Sequence, residues 1–367
     1  MASQQQLKTP LTELLGINHP VLLAGMGTVA SPKLAAAVTN AGGCGVIGGV
    51  GYTPSGLREQ IAEIKANLID KNAPFGVDLL LPQVGGTARK TNYDYTKGSL
   101  DELVTIMIET GVKIFVCAIG VPPVAIVKRL HAAGILYMNM IGHPKHVAKC
   151  IAAGADIICA QGGEGGGHTG DVPTSVLIPA VVELVKGHRS PLTGAQVQVV
   201  AAGGMYSGRS LAAALMLGAT GVWVGTRFIM ATEAGASKYH QEAVKTANHD
   251  DSVRSIIYTG RPLRAKRNAY VDDWEENRAQ EIKDLTAKGT LPVGNDLERK
   301  DLDAKHKEWV EEYWNPQLMG KVAAVLDKVQ PAKEIVDEIV GEAVKVIAEG
   351  NSLVVYANHP LRFKAQM

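Results

Sequence analysis

Residues 156–172 read DIICAQGGEGGGHTGDV, an apolar strand-like run that passes directly into six glycines around a single histidine. Glycines let a backbone approach a flat or phosphorylated ligand where a side chain would collide. His168 is the one side chain in the stretch that exchanges a proton near neutral pH. A flexible turn with a solvated histidine is the competing reading, but a plain turn at a strand end needs fewer glycines than this. The stretch therefore reads as one strand, one ligand-approach loop and one proton-transfer candidate.

Working outward, the same unit recurs between residues 20 and 225: a short apolar or β-branched run, a Gly, Pro or Asn break, then a longer segment with helical spacing. The strand-like runs are 21–24, 45–47, 75–79, 114–117, 136–140, 157–160, 197–201 and 222–224, eight in all. Segments such as 33–41, 56–68, 100–110, 123–132, 145–153 and 207–217 are long enough for crossover helices. Eight βα units favour a closed TIM (β/α)8 barrel over an open doubly wound sheet.

From about residue 233 the pattern changes to high charge, few β-like runs and the aromatics Trp274, Trp309, Tyr313 and Trp314. The expected organisation is thus a barrel over 1–232 and a mainly helical extension over 233–367. Its last helix, 332–348, carries Ile335, Val336, Ile339, Val340, Ala343, Val344 and Ile347 on one apolar face that should pack on the barrel. The polar loop 81–98 should lie over the C-terminal rim, where Lys90, Tyr93 and Tyr95 could gate entry.

Composition narrows the class further. With 367 residues, 46% hydrophobic and 20% charged, the chain can bury one large core and a smaller appendage. A net charge of +1 offers no global attraction to nucleic acid or an anionic membrane, although Arg261, Arg264, Lys266 and Arg267 form a local basic cluster, equally a surface patch or an anion site. Cys44, Cys117, Cys150 and Cys159 form no CxxC pair, which fits buried free thiols in a reducing compartment rather than disulfides or a metal site. MASQQQLKTP has no apolar h-region, and no apolar run reaches membrane-spanning length, so a cytoplasmic location is expected.

If the barrel forms, active groups gather just after the strands. Glycine-rich ends do follow the first, second, sixth, seventh and eighth runs, as a large planar cofactor with a phosphate tail would require. AAGGMYSGR (201–209) and GVWVGTRF (221–228) stand where barrels often hold a phosphate, with Gly203, Gly204, Gly225 and Thr226 as donors and Arg227 as an added charge; tight turns alone are the alternative. No GxGxxG opens a helix after an early strand with an acid downstream, so a single phosphate as in FMN fits better than a dinucleotide.

These segments, from LGINHPVLLAGMGTVASPKLAAAVTNAGGCGVIGG (15–49) through the His168 loop, AAGG and GVWVGTRF to PAKEIVDEIVGEA (331–343), resemble the nitronate monooxygenases, formerly 2-nitropropane dioxygenases. QGGEGGGHTGD, with PFGVDLLLPQ at 74–83, is more similar to the fungal-type branch. The resemblance implies an FMN-dependent TIM barrel with cofactor contacts from Gly25, Met26, Gly27, Gln161, Gly166, Gly203, Gly204, Gly225 and Thr226, and His168 as the catalytic acid/base. Asp78 stands where many relatives have asparagine, which puts a carboxyl group beside the flavin.

The implied reaction is oxidation of a nitronate or nitroalkane with O2 to a carbonyl compound and nitrite, by a protein with a small-molecule substrate and no nucleic-acid or membrane partner. The alternative is an NAD(P)H-dependent flavin reductase acting on quinones or activated alkenes. A non-catalytic phosphate-ligand binder and a barrel isomerase or aldolase are further alternatives, the latter lacking a Schiff-base lysine at a strand end. Exposed helical faces are compatible with a homo-oligomer. His143 after the fifth run is either a rim residue or a structural histidine, and Glu164 reads as a loop anchor.

Overall fold

The computed structural model describes residues 7–49 and 51–354. Val50 of the second glycine-rich turn and the outermost parts of the two expected domains, 1–6 and 355–367, lie outside the described residues. The strands are β1 (Val21–Leu23), β2 (Gly45–Gly49), β3 (Phe75–Leu81), β4 (Ile114–Gly120), β5 (Leu136–Ile141), β6 (Ile157–Gln161), β7 (Gly167–His168), β8 (Gln198–Ala202), β9 (Gly221–Val224), β10 (Ser252–Ser255) and β11 (Leu263–Lys266).

Alternation along the strands decides how they close. Leu22, Val46, Ile114, Val116, Leu136, Met138, Ile157, Cys159, Val200, Ala202 and Trp223 share one buried cluster, while Val21, Ile47, Val77, Phe115, Tyr137, Ile158, Val199 and Val222 belong to another with the helices. Two apolar faces per strand, at period 2, call for a layer on each side. The parallel sheet runs in the order β1-β9-β8-β6-β5-β4-β3-β2. A parallel bridge between Leu22 and Cys44 brings its two ends together and makes the ring of a TIM barrel. Leu11 and Leu15 of helix Pro10–Leu15 join the inner cluster and plug the ring from below.

The crossover helices start on local signals. Ser31 and Thr53 accept the N3 amides of helices Pro32–Asn40 and Pro54–Asn67, and each helix has proline at its start. The final helix, Ala332–Asn351, packs against helices Gly208–Met216 and Pro32–Asn40. Its buried Ile335, Val336, Ile339 and Val340 enter the outer cluster, each contributing on the order of 1.5–3 kcal/mol. All four cysteines are buried and free.

The region after 233 is mainly helical but also holds strands. β10 and β11 pair antiparallel, and β11 pairs in turn with β7, placing Leu263 opposite His168 and Arg264 opposite Gly167. SVRS and LRAK are short and polar, so they lack the apolar run that marks a strand in sequence; their pairing is with a distant glycine loop rather than with each other alone. Among the described residues, no helix is long and apolar enough to cross a membrane.

Candidate active site

At the C-terminal rim the strand ends surround a cavity of about 840 Å3, within the roughly 300–1,000 Å3 of small-molecule and cofactor sites. Its wall includes Gly25, Met26 and Gly27 after β1, Asp78 in β3, Gln161 at the end of β6, Gly166 and His168, Gly203 and Gly204 after β8, and Gly225 with Thr226 after β9. The structure thus brings these eleven residues, singled out from the sequence, to one surface.

The deepest polar group is Asp78, 2% exposed and on the inner face of β3. A Cβ on Gly25 would lie 2.5 Å from Asp78 Oδ2, and one on Gly48 would lie 2.7 Å from Asp78 Cβ. These two glycines therefore make room for the carboxyl as much as for a ligand. Burial raises the Asp78 pKa well above its ordinary value, against a hydrogen bond from the Ala118 amide, and so favours the protonated carboxyl. Its Oδ1 is buried without a hydrogen-bond partner in the protein.

The His168 loop is fixed from several directions. Gln161 Nε2 donates to the His168 carbonyl at 2.7 Å, and Arg264 donates to the Gly163 carbonyl at 3.1 and 2.9 Å. Arg254 donates to the Gly170 carbonyl at 2.8 Å. Glu164 accepts from the Thr174 amide at 3.1 Å and from its hydroxyl at 2.7 Å, the anchoring role expected of it. Gly203, at φ +82°, presses against the same loop: a Cβ there would lie 2.6 Å from the Gly162 carbonyl oxygen.

The His168 ring makes one contact that the sequence did not show. Nε2 lies 3.0 Å from Thr259 Oγ1, which lies 3.3 Å from the Arg261 carbonyl. The Thr259 hydroxyl has one hydrogen; directed at that carbonyl, it leaves Oγ1 to accept Nε2–H and the lone pair of the neutral ring on Nδ1. Burial, and then the Arg261 guanidinium, push the His168 pKa down to about 4. At neutral pH the imidazole is uncharged and able to accept a proton.

Other candidates fall elsewhere. Arg227 turns away from the rim to pair with Glu338 at 2.9 Å and lines a separate cavity of about 310 Å3, so it brings no charge to the Gly203 and Gly225 turns. His143 accepts the Lys145 amide at 3.1 Å and caps the short turn Pro144–His146, a structural role. Tyr95 is buried and Tyr93 exposed, their rings 4.2 Å apart, in a loop tied to the turn before β11. Tyr52, Leu318 and Gly320 also line the cavity; they come from a loop and a late segment with no motif to announce them.

Comparison with known proteins agrees with this geometry. The family model described as nitronate monooxygenase matches residues 8–342. The (3aS,4S,5R,7aS)-5-hydroxy-7a-methyl-1-oxo-octahydro-1H-indene-4-carboxyl-CoA dehydrogenase of Mycobacterium tuberculosis is 33% identical over 95% of this chain and 99% of that protein. A probable nitronate monooxygenase of Staphylococcus saprophyticus is 29% identical over 90% of this chain and 99% of its own length. Among solved structures, FabK from Thermotoga maritima superposes with a TM-score of 0.73 at 27% identity, covering 95% of this chain and 100% of that one. A nitroalkane oxidase from Streptomyces ansochromogenes gives a TM-score of 0.73 at 25% identity over 92% and 99% of the two chains. Barrel, rim cavity and family match lead to one assignment: the chain belongs to the nitronate monooxygenase family, as an FMN-dependent oxidoreductase.

Proposed function

We propose that the protein oxidises nitronates or nitroalkanes with O2 to carbonyl compounds and nitrite, with His168 as the acid/base. The observation that carries this is a neutral histidine, oriented by Thr259, on the wall of a cavity large enough for a flavin and a small substrate. Neutral His168 would take the proton from the carbon bearing the nitro group, and the nearby Arg261 charge would favour the anion so formed.

The rim residues fit FMN. The unpartnered Oδ1 of Asp78 at the cavity floor is a polar group that a flavin ring edge would satisfy, and the neutral acid would donate to it. Gly25, Met26, Gly27, Gln161 and Gly166 would hold the ring system, while Gly203, Gly204, Gly225 and Thr226 would take the phosphate. Thr226 Oγ1 already accepts the Gly320 amide at 2.9 Å, so its hydroxyl hydrogen is the part left for that phosphate. FMN, once bound, supplies the redox chemistry and oxygen activation.

A second reading is NAD(P)H-dependent reduction of an activated alkene such as an α,β-unsaturated CoA thioester, favoured by the 33% identity to the mycobacterial carboxyl-CoA dehydrogenase. Anaerobic absorbance titration separates the two. Bleaching of the yellow protein by propionate-3-nitronate but not by NADH, with nitrite released on admitting air, is the expected result. Bleaching by NADH alone would overturn the first reading in favour of the second.

A further inference from the structure

Arg89 and Arg261 stand side by side where the loop after β3 meets the turn before β11, next to the His168 cavity. Arg89 Nη1 donates to the Gly260 carbonyl at 3.1 Å, and Arg261 Nε donates to Asn92 Oδ1 at 3.1 Å, so the loop after β3 and the turn before β11 are stitched in both directions. A Cβ on Gly260 would meet the Thr91 side chain, which shows how closely the two loops pack. The neighbouring arginines have acidic company: Arg254 pairs with Asp171 at 2.7 Å, Arg267 with Asp272 at 2.8 Å, and Arg278 with Asp296 at 2.7 Å. Arg264 feels Glu164 and Asp171. Arg89 and Arg261 have no carboxylate within 4.0 Å among the described residues.

Arg89 lowers the Arg261 pKa, so the two guanidiniums repel, and each is fixed by a neutral acceptor with no carboxylate partner among the described residues. Each brace uses one of five N–H donors, which leaves most of both forks for an anion. The pair sits beside the reacting centre: the Arg261 carbonyl accepts the Thr259 hydroxyl that touches His168. We propose that Arg89 and Arg261 form a recognition site for an anionic group, carboxylate or phosphate, carried by the substrate beyond the atom that reacts at His168. The Tyr93 and Tyr95 ring pair lies on the same loop as Arg89.

This inference rests on the reading of the His168 cavity as the oxidising centre, and its test separates the two. With FMN-loaded protein, one arm compares binding of coenzyme A with that of pantetheine, which lacks the 3′,5′-ADP phosphates, by titration calorimetry. The other compares kcat/KM for 3-nitropropionate and neutral 1-nitropropane. A preference for the anionic member identifies the source, phosphate in the first arm and carboxylate in the second. Arg89→Gln should reduce that preference with little change for the neutral member, and Arg261→Gln should reduce it roughly tenfold or more while also slowing the neutral member, whose anion the Arg261 charge favours. Arg189→Gln, exposed in the turn before β8, should not.

No preference for the anionic member in either arm, or a preference that survives both substitutions at unchanged FMN content and melting temperature, overturns the proposal. If Arg261→Gln does not load FMN, the exposed Arg89→Gln decides alone. Charge-dependent coenzyme A binding without turnover of either nitro compound would support the anion site while sinking the nitronate reading. Turnover indifferent to charge, with no preference for coenzyme A, would do the reverse.

Discussion

Replacing His168 with glutamine should change how stability depends on pH. Burial and the Arg261 charge lower the imidazole pKa from 6.5 to about 4. Between those values the unfolded chain binds a proton that the folded chain does not, so this group makes stability rise with pH through the window and fall as acid is added. At about 1.36 kcal/mol per pH unit, the wild type should lose about 2.5 kcal/mol through this residue between pH 7.5 and 4.5; screening at its partly exposed edge brings that to about 2 kcal/mol. Urea unfolding of both proteins in excess FMN at pH 4.5, 5.5, 6.5 and 7.5 would measure it. The difference in stability between glutamine and histidine proteins should shift by that amount in favour of glutamine at the acid end, whatever constant offset the substitution brings. A difference that stays flat within about 0.5 kcal/mol would show that His168 titrates as it would in water, and would remove the argument for a histidine kept neutral by its surroundings.

The same pKa governs turnover: kcat/KM for a neutral nitroalkane at pH 6 should stay near its value at pH 8, whereas a base of pKa 6.5 would leave about a quarter of it. Asp78→Asn replaces a group that must stay uncharged with one that always is. Because the folded pKa of Asp78 is raised, its carboxyl favours folding least at high pH, so the melting-temperature difference, variant minus wild type, should grow as pH rises above 4; a constant difference would contradict a protonated Asp78. Gly203→Ala puts a Cβ at φ +82° against the Gly162 carbonyl and should lower FMN occupancy measured by absorbance, with the far-ultraviolet circular dichroism little changed. Arg278→Met leaves the fully buried Asp296 without its bidentate partner and should cost about 3–5 kcal/mol, seen as faster amide exchange over 269–298.

The barrel was legible because each strand carries its own signal. The expected run 114–117 became Ile114–Gly120 and 197–201 became Gln198–Ala202, shifts of the size that strand ends usually show. The glycines and His168 were legible for the same local reason. Thr259 was not, and Arg261 was visible only as one of a basic cluster with no place at the site, since only the antiparallel pairing of β11 with β7 carries their turn to the histidine, and that pairing joins residues about ninety positions apart. Arg227 failed in the other direction: its place after β9 is right for a phosphate ligand, but Glu338 on the last helix claims it. Sequence position fixes which loop a side chain leaves from; the charges on elements that arrive later decide where it turns.

The last helix also sets the order in which the protein can be finished. Ala332–Asn351 lies between the helices that follow β1 and β8, and Glu342 accepts the Gly208 and Arg209 amides at 2.6 and 3.3 Å, closing the start of helix Gly208–Met216. Until those residues leave the ribosome, two helices of the ring present bare apolar sides to water. At about 5–20 residues per second the 127 residues from the end of β9 to the end of that helix take roughly 6–25 seconds to appear. For that interval the nascent chain is an eight-stranded sheet with a gap in its outer wall, a natural client for a chaperone and a poor one for FMN, whose cavity also awaits Leu318 and Gly320.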